Sequence, residues 1–207
     1  MLAPPAGAAV PSAAALSDYQ RAAALASGGK PSDAELELKQ FDLLYPGYAA
    51  PSIDLGLLAR AQGRLADSES ALRHATTVDS SNAMAWSELG VTLRQEGKFN
   101  DARTAYGQAI ADDGSYAPAH RNLGVLLDLY LNDPTAALPE FERYKDLSGE
   151  DKPVSSWIAE LRARTGVKPG AAPEAAPDTS GATGSGSAAP ASAAPAPVAA
   201  GNGGPTT

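Results

Sequence analysis

A period of 34 residues constrains the fold of this chain more than any other feature of its sequence. When the sequence is shifted by 34 residues against itself, one Leu-Gly pair recurs three times, at 55–56, 89–90 and 123–124. Further columns recur at the same spacing: Gly29, Gly63 and Gly97; Leu38, Leu72 and Tyr106; Ala34, Ser68 and Ala102; Ala75 and Ala109. Agreement in this many columns indicates a repeat architecture, in which each unit buries its apolar face against its neighbours.

The unit from 83 to 116 has the pattern of a helical hairpin. Ser81–Asn82 offers an N-cap, and apolar residues then follow at helical spacing up to Leu93. Gly97 is expected to end this first helix, and Asn100 to cap a second helix that ends near Asp113–Gly114. Two helices of about 13 residues cannot bury their apolar faces alone, so neighbouring hairpins must stack.

These residues resemble the tetratricopeptide repeat, which carries Trp, Leu, Gly, Tyr, Ala, Phe, Ala and Pro at fixed positions of a 34-residue unit. The matching residues of unit 83–116 are Trp86, Leu89, Gly90, Leu93, Ala102, Tyr106, Ala109 and Gly114. Ser52 and His120 stand where this unit has Trp86, so we interpret His120 as a packing residue. The resemblance implies an all-α fold, a right-handed superhelical array of about four tetratricopeptide helical hairpins plus a C-terminal capping helix.

The resemblance spans about 15–166. It predicts units at 15–48, 49–82, 83–116 and 117–150 and a capping helix at 153–164, with one extra residue at Leu131–Pro134 in the fourth unit. The flanking segments differ in composition. Residues 1–14 are rich in Ala and Pro, and Val198 is the only large aliphatic residue after Lys168. Such segments bury too little apolar surface to offset the entropy lost on ordering, so 1–14 and 167–207 are predicted to be disordered.

Composition excludes several functional classes. The chain has no cysteine, which excludes disulfides and thiolate chemistry, and its net charge of −8 has the wrong sign for a nucleic-acid binder. No apolar run is long enough to span a membrane. The two histidines, His74 and His120, lack metal-ligand spacing. We therefore expect no enzyme, no metal and no cofactor. The absence of a recognisable signal favours the cytoplasm, and a truncated start would leave the periplasm or cell envelope as the alternative.

A glycine recurs inside the first helix of three units, at Gly56, Gly90 and Gly124. Glycine costs about 1 kcal/mol relative to alanine inside a helix, so its recurrence at one position predicts a close helix–helix approach. The leucines that precede these glycines, Leu55, Leu89 and Leu123, are then expected to be buried between helices.

The resemblance also implies a function: the first helices of such arrays line a concave groove that receives a peptide or helix of a protein partner. The family's groove positions correspond to Ile53, Leu57, Arg60, Met84, Val91, Arg94, Arg121, Asn122 and Val125. Ala23, Leu57, Val91 and Val125 form an apolar column along the groove, although some of these side chains could instead pack between helices.

Chaperone-binding members of the family grip a C-terminal carboxylate with a Lys/Asn/Lys/Arg set. Here Tyr19 and Ala23, or Ile53 and Leu57, stand at the first two positions, and Asn122 alone matches. The partner is therefore predicted to be an apolar or amphipathic segment. The alternatives are a module that self-associates through its terminal repeats or capping helix, and an assembly factor of a bacterial cell-envelope complex. Trp157 is a further candidate anchor for a partner.

Overall fold

The structure, a computed structural model, describes residues 11–168 of the chain. The disorder predicted for 1–10 and 169–207 lies outside the described residues. Across 11–168 the chain forms nine α-helices and no strand, with three to five residues between successive elements. In order they are α1 Ala13–Ser27, α2 Pro31–Leu44, α3 Ala49–Ala61, α4 Leu65–Val78, α5 Ala83–Gln95, α6 Phe99–Asp112, α7 Ala117–Val125 with a π-helical turn Leu126–Tyr130, α8 Pro134–Ser148 and α9 Val154–Thr165.

Helix ends follow local chemistry. Ser12 caps α1, its side chain accepting a hydrogen bond from the backbone nitrogen of Ala15 at 3.1 Å, so this helix begins two residues before the predicted unit. Asn82 caps α5 in the same way, through the nitrogen of Ala85 at 3.0 Å. The cap predicted at Asn100 is wrong. The N-cap is Lys98, two residues before Asn100, so α6 begins at Phe99, and no side chain of the cap bonds to its N-terminal amides.

The turn inside each of the first three hairpins requires a left-handed residue. Gly29, Gly63 and Gly97 have φ of 74°, 75° and 78°, a conformation that glycine adopts without steric cost. The nitrogen of the following residue then bonds back to the first helix, as from Lys98 to the carbonyl of Leu93 at 2.9 Å. The recurring glycine thus directs the chain from the first helix into the second.

The fourth hairpin carries its extra residue inside the first helix. The left-handed position falls on Asn132, with φ of 51°, one residue later than the glycine column predicts. Gly124 still occupies its packing position, so the insertion lies between these two residues, where the π-helical turn Leu126–Tyr130 absorbs it. The insertion predicted at Leu131–Pro134 is therefore located earlier in the chain.

The glycine column permits close packing within three hairpins. A Cβ added to Gly56 would lie 2.5 Å from Leu72, one added to Gly90 2.5 Å from Tyr106, and one added to Gly124 3.0 Å from Phe141. The two distances of 2.5 Å are too short for a methyl group, and the distance of 3.0 Å would require Phe141 to shift by a few tenths of an ångström. The close helix approach expected from the sequence is confirmed.

Successive hairpins stack into one helical array, as the fold class predicts. Most of the buried side chains from α3 to α9 form one continuous core. Val154, Ile158 and Leu161 of α9 join this core and pack against α8, so α9 covers the last hairpin. Helix α5, the first helix of the third hairpin, lies directly against α3 and α7, the first helices of the neighbouring hairpins. The second helices, α4 and α6, do not approach each other as closely, which places the first helices on the inner face of the array.

Candidate functional site

An apolar column runs along the inner face of the array. Leu57 of α3, Val91 of α5 and Val125 of α7 occupy equivalent positions, and all three are half-buried, packed on the core with part of each side chain exposed. Ala23, the fourth member of the column, is exposed on α1. We call the surface around this column the groove.

The other apolar groove candidates differ in exposure. Met84 of α5 is half-buried, whereas Ile53 is only 4% exposed and belongs to the core. Leu55, Leu89 and Leu123 are all expected to be buried. Leu89 and Leu123 are buried, whereas Leu55 of α3 is half-buried. Ile53 therefore has no surface to offer a partner in this conformation.

Arg60 is held by the neighbouring repeat. Its Nη1 donates to the carbonyl of Glu88 at 3.0 Å and to the hydroxyl of Thr92 at 3.3 Å, and its Nη2 pairs with the Glu88 carboxylate. The Arg60 and Glu88 side chains are only 17% and 21% exposed. This arginine joins α3 to α5, and its charge is neutralised inside the molecule.

A second polar contact joins α1 to α3, at the N-terminal end of the groove. The Tyr19 hydroxyl donates to Asp54 Oδ2 at 2.6 Å. Burial raises the pKa of the Asp54 carboxyl, and the hydrogen bond from Tyr19 opposes that shift by stabilising the charged form. Burial and the carboxylate together raise the pKa of Tyr19. Both groups of this pair contribute to stacking the first two hairpins.

Two groove arginines have aromatic rather than acidic partners. The Arg94 guanidinium lies 5.3 Å from the centre of the Tyr130 ring and donates to its hydroxyl at 3.0 Å. Arg121 is exposed, 5.8 Å from the centre of the Trp157 ring. Within residues 11–168 neither arginine forms an ion pair, in contrast to Arg60. Their charges are positioned by stacking and remain available to an acidic group.

Asn122, the single match to the carboxylate-binding set, is half-buried. Its amide nitrogen lies 3.4 Å from the Ser87 hydroxyl, which connects α7 to α5. Tyr19 and Ala23, or Ile53 and Leu57, stand at the first two positions of the set, so neither place has its Lys/Asn pair. The residues that hold a terminal carboxylate in the chaperone-binding members are not assembled on this face.

The groove ends in a pocket of about 310 Å³ against the capping helix. Val125 and Leu129 line it on one side and Trp157 on the other. Asp128 and Arg164, which form an ion pair at 2.8 Å, also line the pocket. Trp157 is half-buried, its ring 5.4 Å from that of Phe141. It therefore both packs the capping helix and contributes surface to this end of the groove.

Sequence reasoning missed one polar cluster outside the groove. The Ser52 hydroxyl lies 2.9 Å from His74 Nδ1 and 3.3 Å from Asp42 Oδ1, and Asp42 Oδ2 lies 3.8 Å from the same His74 nitrogen. Because serine and aspartate face one ring nitrogen, the trio lacks the two-sided geometry of a catalytic relay. The three residues are 10 and 22 positions apart, so no local motif connects them.

His120, the other histidine, is buried as a packing residue in the slot filled by Trp86 one repeat earlier. Its Nδ1 lies 2.7 Å from Glu140 and its Nε2 3.2 Å from the carbonyl of Gly114. No cluster of three or more His, Asp or Glu side chains suited to a metal occurs within 11–168. Over the same residues, no helix has the length and apolar character needed to cross a membrane.

Comparison with known proteins points to one family. A family model described as "Tetratricopeptide repeat" matches residues 53–118 and, in an overlapping match, residues 92–152. No curated protein sequence matches the chain.

Several solved structures share the fold at low sequence identity. PilF of Pseudomonas aeruginosa is 21% identical, with a TM-score of 0.66 over 73% of this chain and 69% of its own. MamA is 20% identical, with a TM-score of 0.63 over 70% of this chain and 84% of its own. The first repeat domain of Spaghetti, bound to an HSP90 peptide, is 17% identical, with a TM-score of 0.54 over 57% of this chain and 96% of its own. At these identities the similarity establishes the fold alone.

Proposed function

Because the chain belongs to the tetratricopeptide repeat family, we propose that it is a non-enzymatic scaffold that binds a peptide or helix of a partner protein in the groove. The observation that carries the proposal is the half-buried column of Leu57, Val91 and Val125, which continues across three successive first helices. Apolar side chains that are held in place by a core but remain partly exposed gain free energy when a partner covers them.

The charges beside the column favour an amphipathic partner. Arg60 is neutralised by Glu88, so the N-terminal part of the groove offers mainly apolar contacts. Arg94 and Arg121 lie at the C-terminal part without an ion pair within 11–168, and the pocket against α9 lies beside them. A segment with apolar residues along one face and an acidic residue near its end fits this distribution of charge.

The Spaghetti domain, which shares the fold, was solved with a bound HSP90 peptide. That complex supports peptide binding as a use of this fold. The proposed contact residues are the half-buried and exposed members of the predicted set: Leu57, Met84, Val91, Arg94, Arg121, Asn122 and Val125. Arg60 contributes by holding α3 against α5, and Ile53 by packing in the core.

The experiment places a charge at the centre of the groove. Val91→Glu should leave the fold intact because the side chain can reach solvent, and it should weaken partner capture by about 1–3 kcal/mol because the bound carboxylate would be desolvated. Thr104→Glu, on the exposed surface of α6, is the matched control. Circular dichroism measures unfolding, and affinity capture with quantitative mass spectrometry measures each partner's recovery.

A partner recovered equally with wild type and Thr104→Glu, but lost with Val91→Glu, is the expected result. If Val91→Glu unfolds the protein, Val91 is a core residue and the groove lies elsewhere. If that variant is folded and captures the same partners, the inner face is not the binding surface. Light scattering on purified protein identifies the competing case, in which the captured partner is a second copy of the chain.

A further inference from the structure

A second cleft, of about 370 Å³, lies between α2 and α4. Its floor is formed by Ser52, Leu55 and Ala59 of α3, and none of its lining residues belongs to the groove. Its volume is at the lower end of the range of about 300–1,000 Å³ that ligand pockets occupy. A space of this size accommodates one large side chain.

The cleft results from two small residues in the second repeat. Ser52 occupies the position of Trp86 and His120, and Ala59 that of Leu93 and Leu127. Leu93 and Leu127 are at most 3% exposed, and His120 is 6% exposed, so the later repeats fill the equivalent space from within.

The missing volume explains why Leu55 departs from the sequence expectation. Leu89 and Leu123, at the same position of the next two repeats, are 1% and 8% exposed, whereas Leu55 is half-buried and faces the cleft. Leu55 therefore provides apolar surface in the cleft that the chain itself leaves partly uncovered within 11–168.

The wall of the cleft includes one carboxylate that forms no ion pair with a Lys or Arg of the described residues. Glu35 and Asp67 each pair with Arg64, at 2.5 and 2.7 Å. Asp42, in contrast, has only the Ser52 hydroxyl at 3.3 Å and the His74 ring at 3.8 Å, and no Lys or Arg within ion-pair distance among the described residues. Asp42 can therefore accept a hydrogen bond from a group that enters the cleft.

Exposed leucines flank the cleft on α2. Leu36 and Leu43 are 69% and 84% exposed, and they lie on either side of Lys39 in the cleft wall. The equivalent positions of the next two repeats are polar or small: Ser70 and Thr104 for Leu36, and Thr77 and Ala111 for Leu43. The repeat fold does not require leucine at either position. We therefore interpret these two exposed side chains as contact residues for a molecule outside the array.

We propose that this surface, the α2–α4 face, binds a protein segment that inserts a tryptophan side chain into the cleft. The indole ring covers Leu55 beside Ser52 and Ala59, the positions that Trp86 and Leu93 occupy one repeat later. The indole N–H donates to the Asp42 carboxylate, and neighbouring apolar residues of the segment contact Leu36 and Leu43. An aliphatic side chain would add no hydrogen bond to the one that Asp42 accepts from Ser52, and a lysine would leave Leu55 uncovered.

The proposal is tested with N-acetyl-L-tryptophanamide as the probe on the ¹⁵N-labelled full-length chain. Titration should shift amide resonances of α2, α3 and α4 around the cleft. The affinity should exceed that of N-acetyl-L-leucinamide by at least about tenfold, because only the indole supplies both the ring area and the donor. Shifts that map to the groove, or equal shifts with both probes, overturn the proposal.

Two variants fill the cleft with residues that the chain uses elsewhere. Ser52→Trp and Ala59→Leu should each abolish the probe-induced shifts. Thr104→Trp, on the exposed face of α6, should leave those shifts unchanged. Asp42→Asn keeps the shape of the cleft and should weaken probe binding at least about threefold, because an amide is a weaker acceptor than a carboxylate. Unchanged probe binding in a folded Ser52→Trp or Ala59→Leu protein, or in Asp42→Asn, would refute the assignment.

Discussion

Gly90 allows two helices to pack at a distance that a side chain would prevent. The ring of Tyr106 occupies the space where a Cβ would stand, with its Cε1 atom 2.5 Å from that position. Tyr106 is fully buried, so its ring cannot move into solvent. The cost of glycine inside α5, about 1 kcal/mol, is offset by the contact area between α5 and α6.

We predict opposite effects for two glycine substitutions in this hairpin. Gly90→Ala should lower the free energy of unfolding by about 1–3 kcal/mol, because the new methyl group overpacks the contact with Tyr106. Gly107 lies on the exposed face of α6, with nothing within 4 Å of an added Cβ. Gly107→Ala should therefore raise the free energy of unfolding by about 0.5–1 kcal/mol. Chemical denaturation measures both. Equal changes in the two variants would contradict the packing role of the column.

The residue scale also shows why part of the groove could be predicted. The spacing of Leu57, Val91 and Val125 predicts that they share a face, and the resemblance to the tetratricopeptide repeat implies that this face lines the groove. The exposure of Leu55 could not be predicted in the same way. It depends on the volume missing at Ser52 and Ala59, which is a property of neighbouring side chains rather than of the period.

Adjacent repeats are joined at the element scale by a recurring set of ion pairs. Glu69 of α4 contacts Arg73 one turn later at 2.8 Å and Lys98, at the start of the next second helix, at 2.6 Å. Glu35 of α2 contacts Lys39 and Arg64 in the same arrangement, at 2.7 and 2.5 Å. Each glutamate therefore stabilises its own helix and the stacking of the following repeat.

We predict that Glu69→Gln weakens this stacking in a pH-dependent way. The hydrogen bond from Lys98, followed by the one from Arg73, lowers the pKa of Glu69 to about 2. Its contribution is therefore fully present above the unfolded-state pKa of about 4.5 and is lost as the pH falls toward 2. At pH 7 the variant should lose about 0.5–1 kcal/mol, the size expected for a solvent-screened network.

Thermal unfolding from pH 7 to pH 2.5 measures the difference between wild type and Glu69→Gln. That difference should shrink across the acidic range and should also shrink at high salt. Asp146→Asn, at an exposed aspartate of α8 with no ion pair within 11–168, is the control and should show little change. A difference independent of pH would mean that the Glu69 charge does not contribute.

The fourth hairpin shows what periodicity leaves undetermined in an element. The sequence indicates one extra residue after Gly124, and a turn is the usual place for an insertion. The structure accommodates it as a π-helical turn, which moves the left-handed residue to Asn132 and brings Tyr130 beside Arg94. A repeat pattern counts residues between landmarks, but it does not distinguish a widened helical turn from a longer loop.

At the scale of the described array, each hairpin packs mainly against its immediate neighbours. Stability in such an array is a sum of local and nearest-neighbour contributions, so a perturbation at one end should not spread evenly. The C-terminal end is covered by α9, whose Ile158 is 5% exposed and belongs to the core. This helix is the place to test whether the hairpins unfold separately or together.

We predict that Ile158→Asp causes graded loss of protection along the array. A buried, unpaired carboxylate should detach α9, and α8 and α7 should then exchange their amide hydrogens faster than α3 and α4, because only the last hairpin loses a covering neighbour. Hydrogen exchange with mass spectrometry measures each helix, and Ser156→Asp, on the exposed side of α9, is the matched control. Equal acceleration from α1 to α8 would show that the hairpins unfold as one cooperative unit. Acceleration confined to α9 would show that the fourth hairpin is stable without its cover, and that the pocket beside Trp157 could open without disturbing the rest of the groove.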